Sequence, residues 1–293
     1  MVEWGHVLWR VCGSRKVMQG EASMIRKKEI WIYTVLCIVI TNILWYAVYS
    51  IREKNEESIL MLFPMVLASF MPAIIAVIMC KLAKMKLRSM LLSLNIKKSW
   101  KIYIIAIITG LFIVYASDLL PLLFFPGNVS FAPESLTLMF FVQIIFFTLI
   151  SIVESVELLG EELGWMGYLF PRLEKECGTF PSILMIAVIR TLWHSVIIIK
   201  IDGTWFGFCN LFISNLLLQS VLVYVTKKSQ SVFPAAIVHA ITNIMMALSF
   251  VTYTDAFYNN NSVKFRMIEW IPLIAVGAVF FTLLLKGEKA KPQ

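Results

Sequence analysis

Carboxylates, two histidines and an arginine stand in stretches of this sequence that are otherwise almost wholly apolar. Glu154, Glu157, Glu161 and Glu162 close an apolar run that begins near residue 136; Arg190 and His194 lie in a second run at about 181–200, and His239 and Asn243 in a third at about 232–253. A charge in hydrocarbon costs about 2.5 kcal/mol or more, so such residues face a cavity or one another and serve a purpose there. The steps from 154 to 157 to 161 place three carboxylates along one helical face, with Glu162 about 100° away. Asn243, four residues after His239, shares its face. Carboxylate and imidazole together are the groups that activate a water, because a carboxylate in a low-dielectric cavity binds protons more readily and suits general-base work near neutrality. The same glutamates also fit a solvated membrane interface, and a histidine in a membrane helix also fits simple helix–helix hydrogen bonding.

The elements that must carry these groups are membrane helices. The 293 residues are 59% hydrophobic and 15% charged, with a mean hydropathy of +0.81, whereas a water-facing surface needs about a quarter charged residues. Apolar runs of the roughly 20 residues that a span requires occur at about 30–51, 58–80, 101–125, 136–159, 181–200, 205–225, 232–253 and 268–286. An all-α polytopic bundle of about eight transmembrane helices follows, in one domain over 30–286, with a cytoplasmic leader at 1–29 and a tail at 287–293. Residues 1–23 read as an upstream extension, with Met24 as the alternative start. The net charge of +8 does not point to nucleic acid, because the basic residues lie between the apolar runs. About 20 of the 26 lysines and arginines fall in segments on one side of this map and about five on the other, which orients both termini to the cytoplasm. The five cysteines show no paired spacing and read as small apolar residues.

Depth links the runs. If the fourth helix continues through the apolar stretch 163–173 to Arg172, Glu161 lies roughly 16 Å from its inner end, His194 roughly 20 Å from an inner start near Phe180, and His239 roughly 12 Å from one near Ser231. Residues 136–172 would then span roughly 55 Å if straight, so this helix must start later, tilt, or break near Gly160 or Gly164.

The segment Gly160-Glu161-Glu162-Leu163-Gly164-Trp165-Met166-Gly167-Tyr168-Leu169-Phe170-Pro171-Arg172-Leu173 resembles the first motif of the CaaX protease and bacteriocin-processing (CPBP, or Abi) family. Trp193-His194 is similar to the second motif, and His239-Ala240-Ile241-Thr242-Asn243 to the third, HxxxN. The resemblance covers about 140–250 and rests on the order, spacing and placement of the motifs on three runs. It implies an intramembrane endopeptidase in which Glu161 and His194 orient and deprotonate a water, His239 and Asn243 donate to the oxyanion, and Glu162 shapes the site. The implied partners are the bilayer and a peptide or lipid-modified, membrane-associated substrate, and a bacterial plasma membrane is the expected location. Related functions include trimming of prenylated CaaX termini, bacteriocin maturation and self-immunity.

Glu161, His194 and His239 could also supply the three protein ligands of an open zinc site, but HExxH spacing is absent, and the favoured expectation is metal-independent water activation. Two positions depart from the family pattern. Met166 stands where EExxxR has its arginine, and Arg190 stands where FxxxH has its phenylalanine. An arginine in mid-membrane needs an anionic partner, so Arg190 is expected to replace the missing cation by pairing with a glutamate of the fourth helix, Glu157 or Glu154 being placed for it. The alternatives are a catalytically weak or inactive member acting as a membrane scaffold or immunity protein, and a transporter, since intramembrane charges also mark ion pathways. Asp118, Gln143, Asn210, Asn215 and Gln219 read as helix-packing partners, and His6 as an incidental solvated residue.

Overall fold

A computed structural model describes residues 20–54, 59–245 and 248–289. The leader up to residue 19, with His6 and Cys12, and the end of the tail lie outside the described residues. The chain is a helical bundle: α1 (Gly20–Arg52), α2 (Leu62–Leu82), α3 (Ile96–Leu119), α4 (Pro121–Phe124), α5 (Leu138–Glu162), a π-helical segment (Leu163–Leu169), α6 (Phe170–Cys177), α7 (Thr179–Trp193), α8 (Ser195–Ile201), α9 (Trp205–Ser229), α10 (Phe233–Ile244) and α11 (Asp255–Lys289). Two-residue strands β1 (Ser130–Phe131) and β2 (Val251–Thr252) pair antiparallel, Ser130 opposite Thr252 and Phe131 opposite Val251.

Among the described residues six stretches are long and apolar enough to cross a membrane: Lys27–Arg52, Ile59–Leu82, Ile96–Phe124, Leu138–Cys177, Trp205–Ser229 and Asp255–Glu288. Large apolar side chains stand exposed along them, Phe63 at 75% and Ile145 at 63%, a surface that only lipid stabilises. The protein is an integral multi-pass membrane protein. Two of the eight expected spans take other forms. The run at 181–200 divides into α7 and α8, bent by 53°. The run at 232–253 yields only the 12 residues of α10, about 18 Å of helix against a hydrocarbon core of about 30 Å. A reason for its early end lies beyond Ile244. The Asp118 carboxylate accepts a hydrogen bond from the Phe250 amide at 2.6 Å and another from the Ser249 hydroxyl, and the chain passes directly into β2. Backbone groups held there cannot extend the helical ladder.

The helices divide into two compact units, one formed by residues up to 93 with 159–219, the other by 94–158 with 220–293; α5 and α9 each run from one into the other. In the first, α1 packs on α2, α7 packs on α6 and α1, and the π-helical segment packs on α2. Gly178, at φ +85°, ends α6 in a conformation that a side chain would strain, and lets α7 start at once. In the second unit α3 packs on α10 and α11. Asn95 donates its amide to the carbonyls of Ser229 and Gln230 at 3.2 and 3.1 Å, and the Ser231 hydroxyl accepts from the amide of Phe233, fixing where α10 begins.

Backbones approach closely in the first unit at the π-helical segment. A Cβ built on Gly164 would lie 2.7 Å from the Pro72 carbonyl carbon, and one on Gly167 would lie 2.6 Å from the Met90 carbonyl oxygen. Overpacking of this kind costs about 1–3 kcal/mol. Gly164→Ala is therefore expected to lower the thermal unfolding midpoint of the detergent-solubilised protein. Gly287→Ala, where nothing stands within 4 Å of the added carbon, should leave it unchanged or raise it.

Candidate active site

Glu161 and Glu162 are the last residues of α5, and the helix does not stop there. It widens into the π-helical segment, whose seven residues are all buried, and closes with the Phe170 amide donating to the Trp165 carbonyl, an i→i+5 bond. The run Leu138–Cys177 stays one 40-residue stretch, its ladder widened just after the glutamates rather than broken at Gly160 or Gly164. Burial follows the packing on α2: Glu162 is 0% exposed and Glu161 7%.

Arg190 of α7 meets both carboxylates. Its Nη1 donates to Glu162 Oε1 at 2.8 Å and its Nη2 to Glu161 Oε2 at 3.4 Å. The guanidinium is 2% exposed, and its rigid fork of donors suits two acceptors at once. The expected cation–carboxylate pairing is present, with different partners from those that helical spacing favoured. Glu162 and Glu161 take the charge, while Glu157 and Glu154 remain exposed on α5. The wheel argument put Glu162 on another face from Glu161, but a forked cation reaches two neighbouring faces. Met166, in the position of the family's arginine, is fully buried and accepts a contact from Gln219 Nε2 at 3.4 Å on its sulfur, so that position is an apolar slot.

His194 follows Arg190 by one turn, at the break between α7 and α8, with φ −91° and ψ 7°. Its Nδ1 lies 2.9 Å from the Arg190 carbonyl oxygen. A carbonyl only accepts, so Nδ1 carries the proton in this contact. The ring meets Trp193 edge-on at 4.4 Å between centroids; Trp193 meets Trp165 at 5.9 Å, and Trp165 meets Tyr33 at 6.1 Å. These three buried rings form a wall beside the histidine. Their signal was position: Trp165 and Trp193 each adjoin a motif residue rather than a span end.

His239 and Asn243 lie in the other unit, on α10. His239 is 7% exposed, and its carbonyl accepts from the Thr242 hydroxyl at 2.9 Å; Asn243 is exposed. Gly110 of α3 faces Ile241, with only 2.9 Å for an added carbon, which holds this helix firmly. Of the secondary polar residues, Asn215 donates to the Thr191 hydroxyl at 3.3 Å, Gln219 meets Met166, and Asp118 anchors the strand loop, each as an internal packing partner.

Removing one member of a buried ion pair strands the other charge, at about 3–5 kcal/mol. Arg190→Met is accordingly expected to lower the unfolding midpoint sharply, and the double variant Arg190→Met with Glu162→Gln to recover part of the loss. A double-mutant cycle measured in one detergent reads the coupling directly.

A family model described as type II CAAX prenyl endopeptidase Rce1-like matches residues 137–245, the stretch that holds α5, the π-helical segment and α7 to α10. CAAX prenyl protease 2 of Methanococcus maripaludis is 27% identical over 138 residues, 44% of this chain and 46% of that protein. The chain thus spans about half the length of the curated relative it matches. The glutamate pair, the histidine one turn after Arg190 and the HxxxN helix all lie inside the matched stretch, so over residues 137–245 the chain is similar to this family.

Proposed function

We propose that this protein is an intramembrane endopeptidase that hydrolyses a peptide bond with a water activated by Glu161 and His194. The observation that carries this reading is the double role of Arg190, whose guanidinium holds the carboxylate pair while its carbonyl holds the histidine. Glu161 is the more accessible of the two carboxylates and the more distant from the guanidinium, which leaves it as the one to take a proton from water; the deeper Glu162 balances the cation. Hydroxide adds to the scissile carbonyl carbon, the carbon–nitrogen bond breaks from the tetrahedral intermediate, and the proton passes to the leaving amine. The family resemblance gives His239 and Asn243 the donation to the oxyanion.

We read the chemistry as metal-independent. A guanidinium already lies against one oxygen of each carboxylate, and a divalent cation brought to the same oxygens would face its charge. The substrate class we propose is a prenylated carboxyl-terminal peptide or another lipid-modified, membrane-embedded segment, following the matched relative's name, with bacterial plasma membrane as the setting and both termini inside.

Reconstituted in liposomes with a farnesylated peptide ending in a CaaX sequence, the protein should release the terminal tripeptide, read by mass spectrometry. Glu161→Gln and His194→Asn should each lower turnover at least about a hundredfold, and His239→Ala or Asn243→Ala by about 10²–10³ in kcat, with helicity unchanged. Full activity in Glu161→Gln would sink the mechanism. Full complementation of a deletion strain by the inactive variants would favour the scaffold reading. Stoichiometric zinc required for turnover, shown by elemental analysis and loss on chelation, would overturn the metal-independent assignment.

A further inference from the structure

The break that carries His194 is bridged by one side chain from a distant part of the sequence. Asn42, in the middle of α1, donates from Nδ2 to the Leu192 carbonyl oxygen at 3.1 Å and to the Ile38 carbonyl oxygen at 2.8 Å. Its Oδ1 accepts from the Val196 amide at 2.9 Å and from the Ser195 hydroxyl at 3.0 Å. A backbone amide only donates, so the contact to Val196 fixes which end of the amide is the oxygen. Two donors and two acceptor directions are the full capacity of a carboxamide, and all are used here. Leu192 is in the last turn of α7 and Val196 in the first turn of α8, the turns whose backbone groups lack the regular i→i+4 partners of a helix interior.

We infer that Asn42 is a positioning residue for His194. It ties the carbonyl two residues before the histidine and the amide two residues after it to a single rigid group, and so fixes the 53° break at which the imidazole is presented. The Arg190 carbonyl sets one ring nitrogen from within α7, and Asn42 sets the backbone from outside it. A shorter or apolar side chain at 42 leaves the Leu192 carbonyl and the Val196 amide to find other partners, and the two helices are then free to change their angle. The role of His194 itself rests on the proposed hydrolysis; the clamp does not.

The test is the full chain in lipid nanodiscs, labelled with ¹⁵N at histidine, with the His194 resonances identified by their loss in His194→Asn. In the wild type the Nδ1-protonated tautomer should dominate at His194. Asn42→Leu, close in volume, should shift or broaden the His194 ring signals and leave those of His239 in place. Turnover of the farnesylated peptide should fall by about ten- to a hundredfold in kcat with KM within about twofold. Unchanged His194 signals in folded Asn42→Leu would overturn the clamp whatever the activity. Moved signals in a protein whose wild type cleaves nothing would leave the clamp standing and remove the protease reading. Should the leucine variant fail to fold, Asn42→Asp, which keeps the acceptor and loses both donors, and Ser195→Ala are read in the same way.

Discussion

Everything in the first unit is arranged around the cost of holding two carboxylates away from water. Glu161 and Glu162 are adjacent in the chain and buried, and like charges so close repel. One guanidinium resolves this by lying across both. Its backbone carbonyl, fixed by the same helix, then engages the histidine. The spacing between acid and imidazole is thereby inherited from a single residue, and neither group can drift without disturbing the other. A buried ion pair is weak evidence for stability, because an apolar replacement of the whole set could hold the fold as well. Retaining charge here specifies orientation.

The exchange of positions within the motifs has a steric side. The slot at Met166 is completely enclosed, with an amide from α9 on its sulfur. A guanidinium there would have to displace Gln219 or find a second anion. At position 190 the side chain leaves α7 toward the carboxylates and meets one oxygen of each.

Much of the architecture was legible because lipid imposes simple rules. Runs of apolar residues near 20 long marked the spans, and the imbalance of lysine and arginine suggested an orientation. The pairing need of Arg190 was likewise visible, since a mid-membrane arginine demands an anion. Its partners were not, because a 3.6-residue wheel ranks Glu157 and Glu154 above Glu162, and the wheel knows nothing of the forked reach of a guanidinium or of packing on α2. The run at 232–253 looked like a span because composition continues apolar past Ile244, while the helix ends at Ile244 and the Asp118 carboxylate holds the amide of Phe250 further along. Asn42 gave only a faint signal, one amide in a long apolar run, since its partners lie 150 residues and more away. Hydrogen bonds to backbone leave no pattern in side-chain identities.

The π-helical segment has a consequence for how sequences of this kind are counted. Its rings close over one more residue than those of an α-helix, so Leu163–Leu169 contains a surplus residue relative to a regular helix. Loss of any single residue there would let the ladder revert to i→i+4 and turn everything before it by about 100° against Arg172, which is held from outside by Glu29. The glutamates would rotate away from Arg190 although every residue with chemistry was still present. Two chains with identical motifs but a one-residue difference in this interval therefore have different faces toward the same space, and an alignment that places a gap there has recorded a rotation, not a deletion of function-bearing side chains.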